Sequence, residues 1–314
     1  MTRIPLAEAL GVLPLGKTLR EIVLAARGDA STPKSRFGLS SLRQLRPLYG
    51  VPLWLGRAPE GRTVPITNLY NYRQPPPELG WSVAVTDVQD FRGGRNTYDS
   101  HNGTDFAVPP GTEVVAAAGG RVVRVSSEFN RGGRKVFLDH GRGLVTTYNH
   151  LSRPLVAPGD RVGRGEVIAL SGYSGLDALV GFPWTPPHVH FNVWLNGAYV
   201  DPFTPDGVSL WRRHNDPVPC PPNEVGARDH VESDFDDAAL EACLRDCVHD
   251  GARGEIESAP TREQRFGAAL FHTCYFPTRF RQLRSLYRSV HPRAPWLDLP
   301  FTARDYDGVS FGDR

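Results

Sequence analysis

Between residues 82 and about 205 the chain is a succession of short runs rich in Val, Leu, Ile and aromatic residues, cut at close intervals by glycine. The runs are Thr112 to Val125, Lys135 to Asp139, Leu144 to Tyr148, Val162 to Ser171 and His188 to Val200. The cuts are Gly119-Gly120, Gly132-Gly133, Gly141-Arg142-Gly143, Gly163-Arg164-Gly165 and Asn196-Gly197. Short strands at this spacing predict an antiparallel all-β domain. Asn196-Gly197 between two apolar triplets is a two-residue hairpin signal, because both turn positions of that hairpin need a positive φ.

The flanks have another period. Leu19, Ile22, Val23 and Ala26 share one helical face, and Leu42, Leu45 and Leu48 suggest a second helix over Ser40 to Leu48. Arg46-Pro47 limits that second helix, since the residue before proline avoids the α region. From Val51 to Trp81 the text is proline-rich and reads as irregular packing and linking segment, with Tyr70, Tyr72 and Trp81 as possible walls of a groove. Beyond Gly207, Leu240, Cys243, Leu244, Cys247 and Val248 form a helical stripe, Thr261 and Gln264 form a capping pair before Phe266, and Phe280, Leu283, Leu286, Tyr287 and Val290 form a third stripe. Residues 229–257 are acidic and 262–293 mostly basic, so these helices should pair partly by charge. The expectation is α+β overall: residues 1–81 helical and irregular, 82–206 a β catalytic domain, and 207–314 helical.

Lys+Arg 36 against Asp+Glu 34 gives a net charge of +2, which provides no global field to recruit nucleic acid or an acidic membrane. No apolar run approaches the ~20 residues needed to span a bilayer. The apolar stretch Ile4 to Leu15 is interrupted by Glu8 and broken by Pro5 and Pro14, and is read as something other than a signal peptide. The four cysteines, Cys220, Cys243, Cys247 and Cys274, allow two disulfides without requiring them. Cys243 and Cys247 fall on an apolar stripe, which favours core packing or a helix-pairing disulfide over a metal site. His140, in a turn between two strands, reads as structural.

Three separated fragments carry chemistry: His101-Asn102-Gly103-Thr104-Asp105, Tyr148-Asn149-His150-Leu151 and His188-Val189-His190. A catalytic zinc takes three protein ligands and leaves one position open, and imidazole and carboxylate both suit it. His101, Asp105 and His190 supply two imidazoles and a carboxylate. On a strand His188 and His190 leave the same face, so one can bind metal while the other stands beside it. His150 could end a neighbouring strand and point into the same cleft. Gly103 would let the backbone turn tightly enough for His101 and Asp105 to face one ion.

His101-x-Gly103-x-Asp105-Phe106, Tyr148-x-His150-Leu151 and Pro187-His188-x-His190-Phe191 together resemble the signature of the M23 peptidases, the lysostaphin-like and LytM-type zinc endopeptidases. The resemblance covers roughly residues 82 to 205. It implies that His101, Asp105 and His190 ligate one zinc ion, and that His150 and His188 are catalytic, one as general base and the other stabilising the oxyanion. It also implies a peptide substrate in bacterial cell-wall peptidoglycan and a place of action in the envelope or outside the cell. A module that binds the wall or regulates another hydrolase, and a protease acting on glycine-rich proteins, are the alternatives. The segment Ser174 to Pro187 departs from the family pattern. It is longer and bulkier than the usual glycine- and threonine-rich link, so substrate choice should be decided there.

Overall fold

The computed structural model describes residues 2–57 and 60–312. Two helices, α1 (Leu6–Leu10) and α2 (Leu15–Arg27), open the chain. The expected helix over Ser40 to Leu48 is instead a 3-10 turn at Leu39–Gln44 followed by α3 (Pro47–Trp54). Pro47 does stop the first element, and then takes the first position of the next, where its missing N–H costs nothing. Within the stretch read as irregular lies β1 (Thr63–Asn68).

The glycine-punctuated region then supplies β2 (Thr104–Ala107), β3 (Glu113–Val115), β4 (Gly120–Glu128), β5 (Gly133–Asp139), β6 (Leu144–Pro154), β7 (Arg161–Val162) and β8 (Val167–Ser171). A short helix, α4 (Leu176–Gly181), precedes β9 (His188–Leu195) and β10 (Ala198–Val200). Asn196 and Gly197 join the last two strands with φ of 56° and 81°, as the hairpin signal requires. The remainder gives α5 (Asp237–Asp246), α6 (Asp250–Ser258), α7 (Arg262–Tyr275) and β11 (Gly308–Phe311).

The strands form one sheet in the order β11-β1-β2-β9-β6-β5-β4-β7, with β10 on β9 and the β3–β8 pair on β6. The β1–β11 pairing is parallel, and the other pairings between these strands are antiparallel. Period-two alternation sends the side chains of each strand to two different cores. Val189, Phe191 and Val193 of β9 join Val122, Leu138 and Tyr148 on one face, which is closed by Leu297, Leu299 and Phe301. Trp194 joins Val123, Phe137 and Val145 on the other face, which is closed by Leu240, Phe266, Leu270 and Phe271 of the C-terminal helices. His188, His190 and Asn192 share the Trp194 face, at the end of β9 away from that helical cover.

Thr261 caps α7 by accepting from the Gln264 amide. The acidic and basic segments pair as the charge pattern suggests: Arg262 with Asp237 at 2.8 Å, Arg265 with Glu241 at 3.0 Å and His291 with Asp234 at 3.0 Å. Exposed pairs of this kind contribute under ~1 kcal/mol each, so the helices are held to the sheet mainly by their apolar face. The third helical stripe does not form a helix. Residues 280–290 are irregular, with bends and two isolated bridges, because their backbone pairs with neighbouring chain: the Arg281 amide donates to the Asp246 carbonyl and the Arg288 amide to the Asp234 carbonyl, both at 2.9 Å. All four cysteines are free, and Cys243 and Cys247 lie in the helical core.

Candidate metal centre

β2 and β9 are antiparallel neighbours in which Asp105 faces His190 directly. Residues directly opposite each other share a face, so the carboxylate and the imidazole meet. His101 lies just before β2, fully buried. Its Nε2 is 3.0 Å from Asp105 Oδ1 and 3.1 Å from His190 Nδ1, while His190 Nδ1 is 2.7 Å from Asp105 Oδ1. Three donor atoms therefore converge on one point.

Gly103 lies at a backbone bend just before β2, and close packing is a second reason for glycine there. A Cβ at this residue would lie 2.6 Å from the Phe191 carbonyl oxygen, 2.7 Å from Asn192 Nδ2 and 2.9 Å from His190 Nε2. Glycine is needed because the 101–105 segment presses against β9.

The outer atoms of the three groups are fixed by the protein. His101 Nδ1 donates to the Leu69 carbonyl at 2.6 Å, which leaves Nε2 with its lone pair inward. Asn68 Nδ2 donates to the second oxygen of Asp105 at 2.8 Å. His190 has two consistent tautomers. With the proton on Nδ1 it donates to Asp105, and Nε2 accepts from Asn192 Nδ2 at 2.8 Å. With the proton on Nε2 it donates to Asn102 Oδ1 at 3.3 Å and presents a lone pair at Nδ1, while Asn192 Nδ2 keeps the Asn102 carbonyl and Oδ1 as acceptors, both at 2.9 Å. The second tautomer is the one a bound cation requires.

The donor set fits a tetrahedral metal. Ligands ~2.0–2.1 Å from zinc stand about 3.3 Å apart, close to the three separations here, and two imidazoles with one carboxylate leave a position open. His101, Asp105 and His190 form the group among the described residues that could hold a metal ion. Electrostatics agree. Burial works against ionisation of Asp105, but the His101 and His188 rings and its close contacts with His101 and His190 hold its carboxyl well below the usual carboxylate range. Burial pushes His190 down to about 4, against the pull of Asp105, so it is neutral and able to ligate.

His150 reaches the site by a break in its strand. Asn149 pairs with His190 across β6 and β9, so regular alternation would send His150 to the opposite face. Instead His150 has φ of 59° and its amide donates to the Gly132 carbonyl at 2.8 Å. A non-glycine residue in this region stores ~1–3 kcal/mol of strain, a cost usually found at functional positions. Its ring lies 4.9 Å from that of His188 and 6.0 Å from that of His190. Nδ1 of His150 donates to the Ser174 carbonyl at 2.7 Å and Nδ1 of His188 to the Pro186 carbonyl at 2.9 Å, which leaves Nε2 as the proton-accepting atom of each, that of His188 3.5 Å from Asp105 Oδ1. Burial, then repulsion from His188 and His190, keeps His150 well below the ordinary imidazole value. His140 is elsewhere, bonded to the Gly119 carbonyl and Thr146 as a structural residue.

Several supporting residues carried no separate sequence signal. Asn149 Nδ2 donates to the His190 carbonyl and to Asn192 Oδ1, both at 2.9 Å. Tyr275, the last residue of α7, places its hydroxyl 2.9 Å from both Asn149 Oδ1 and Asn192 Oδ1. The C-terminal helix thus reaches His190 through two asparagines. Asp177 on α4 places Oδ2 3.6 Å from His150 Nε2.

The segment Ser174 to Pro187 does border the centre. Asp177, Trp184 and Pro186, with Phe37, Leu42 and Leu45 from the N-terminal segment, line a cavity of about 530 Å³ that reaches Asp105 and His188. Trp81 lines a cavity beside His150 and His190, whereas Tyr70 and Tyr72 pack on each other with ring centroids 5.7 Å apart.

Residues 99–202 match the family model of Peptidase family M23. This stretch, a third of the chain, spans every strand that carries the centre, and the match is to the class its motifs resemble. A curated relative named an uncharacterized metalloprotease, from Haemophilus influenzae, is 44% identical over 104 residues, which is 33% of this chain and 20% of that protein. The peptidoglycan DD-endopeptidase ShyA of Vibrio cholerae is 40% identical over 101 residues, 32% of this chain and 22% of that protein. The chain thus spans about a fifth of the length of these relatives. A crystal structure of a zinc-containing peptidase from Vibrio cholerae aligns at 28% identity over 48% of this chain and 39% of that one, with a TM-score of 0.35.

Proposed function

We propose that the protein is a zinc metalloendopeptidase that hydrolyses peptide bonds of bacterial peptidoglycan. The observation that carries this reading is the convergence of His101 Nε2, Asp105 Oδ1 and His190 Nδ1 within 2.7–3.1 Å of one another. Peptidoglycan as the substrate is suggested by what the relative ShyA is named for. Acting on the wall implies a location in the envelope or outside the cell. Among the described residues no helix is long and apolar enough to cross a membrane.

His101, Asp105 and His190 would hold the ion. Zinc bound there supplies Lewis acidity, polarising the scissile carbonyl and lowering the pKa of water toward about 7. The remaining work falls to the chain. His188 and His150 each turn Nε2 toward the centre, and each is locked by an Nδ1–H bond to a backbone carbonyl. One accepts the proton of the attacking water as general base and passes it to the leaving amine. The other, in its imidazolium form with the proton taken from solvent, would donate a hydrogen bond to the developing oxyanion. Asp177 stands within reach of the His150 edge and would stabilise an imidazolium there. Walls from α4, Trp184 and the 37–45 segment enclose the cleft and limit water.

The test is profiling of muropeptides released from purified peptidoglycan, with and without a chelator. The reading requires new peptide ends that vanish on chelation. Bound metal with no new products would favour a wall-binding or regulatory module, and cleavage confined to a glycine-rich protein panel would favour a protein substrate.

A further inference from the structure

Arg131 stands before the Gly132-Gly133 turn that joins β4 to β5, next to the backbone that positions His150. It is only 9% exposed. Nη1 donates to Ser35 Oγ at 3.3 Å and to the Asn130 carbonyl at 3.0 Å. Nε is buried with no acceptor, and the carboxylate that acts on the guanidinium is Asp177. Trp81 and Phe276 offer ring faces at 5.6 and 5.7 Å. Such faces offset only part of the cost of burying a cation. Burial lowers its pKa to about 10; the Asp177 carboxylate, which lines the same cavity, is the main charge opposing that loss, and the Arg279 cation adds to it.

The location of this cation gives it a use. Arg131 lines the cavity that His150 and His190 also line, and it lines the adjoining cavity of about 320 Å³ that runs past Trp81 to the end of α7. A planar guanidinium with free donors beside a peptide-cleaving centre matches the two oxygens of a carboxylate.

We propose that Arg131 is a specificity-determining residue that binds a substrate carboxylate, so that the site selects peptides carrying a free carboxylate close to the bond to be cut. This rests on the peptidase reading above, but its test does not require turnover. The alternative role for Arg131 is a structural clip between Ser35, Trp81 and Phe276.

The experiment is calorimetric titration of the full chain with N-acetyl-D-alanyl-D-alanine and with the same dipeptide as its C-terminal amide. The intact protein should bind the acid at least tenfold more tightly than the amide. Arg131→Gln should bring the acid to the level of the amide and leave the amide unchanged. Equal binding of acid and amide by the intact protein, or an equal loss for both in Arg131→Gln together with a lower melting temperature, overturns the proposal. Should Arg131→Gln fail to fold, Arg131→Lys keeps a cation in place and must retain part of the preference; a folded Lys variant without it counts against the proposal. Chelator-sensitive hydrolysis of peptidoglycan without any acid preference would leave the peptidase reading standing and remove only the role of Arg131. Acid-selective binding lost in Arg131→Gln, with no peptide products, would do the reverse.

Discussion

Tyr275→Phe removes one oxygen from the end of α7 and should weaken metal binding at a residue the substitution never touches. The ring stays in place among Phe137, Trp194, Tyr199 and Phe271, with centroids 5.2–6.3 Å away, so the fold should survive. Asn192 Oδ1 would keep Asn149 Nδ2 at 2.9 Å and Thr147 Oγ1 at 3.0 Å. Asn149 Oδ1 would keep only Thr147 Oγ1 at 3.5 Å, and so would be left almost unsatisfied in a buried site. An unmet buried acceptor costs about 1–3 kcal/mol, which denaturant unfolding of the metal-free protein would read as lost stability. The second effect passes through Asn149 and Asn192 to His190. Loss of an outer partner of a metal-ligating histidine weakens metal binding by ~10–100-fold, measurable by competition with a chromogenic chelator. Zinc affinity within twofold of the parent would refute the coupling, even if stability fell as expected. An Asn192→Ala control should be non-additive with Tyr275→Phe, because both act on one network.

Other substitutions test other parts of the account. His188→Ala should keep the metal and lose hydrolysis by ~10²–10⁴-fold; full activity would remove the residue from the proton-transfer role. Gly103→Ala would place a carbon 2.6 Å from the Phe191 carbonyl oxygen. It should either fail to fold or separate His101 from His190 and lose metal, and a folded variant with parental zinc affinity would contradict the close-approach argument. Asp201 is far from this chemistry and is raised by burial to about 7 from an ordinary 3.8. Its contribution to stability is complete below pH ~4, where folded and unfolded states are both protonated, and is lost as pH rises through about 7, by up to ~4 kcal/mol. Asp201→Asn should therefore be more stable than the parent at pH 8 and little different at pH 4, as judged by denaturant midpoints; a constant difference across that range would exclude the linkage.

The legibility of this molecule in its sequence divides along physical lines. The glycine-cut apolar runs foretold the antiparallel sheet because strand alternation and turn chemistry are local properties, and the Asn196-Gly197 hairpin is the clearest case. Strand β1 was hidden, since Thr63-Val64-Pro65-Ile66 gains its ladder only from β2 and β11, which are distant in the chain. The apolar spacing over 280–290 looked helical, but the same residues serve a chain that pairs sideways with 234–247. At the centre, the pairing of Asp105 with His190 follows from strand register, and His188 beside His190 follows from period two. At Gly103 the bend is local and legible, whereas the close approach of β9 is a tertiary fact. His150 enters through a left-handed kink that no periodicity announces. Tyr275 lies 126 residues from Asn149, and nothing local links an aromatic residue at a helix end to a strand asparagine.

The central claim is that His101, Asp105 and His190 together hold one catalytic zinc. Its most direct test is metal stoichiometry of the purified chain and of Asp105→Ala, paired with hydrolysis of peptidoglycan before chelation, after chelation and after zinc is returned. The account predicts one zinc per chain, none in Asp105→Ala, and activity that disappears and returns with the metal. Full-rate hydrolysis by the chelated protein, or undiminished zinc in Asp105→Ala, would contradict it.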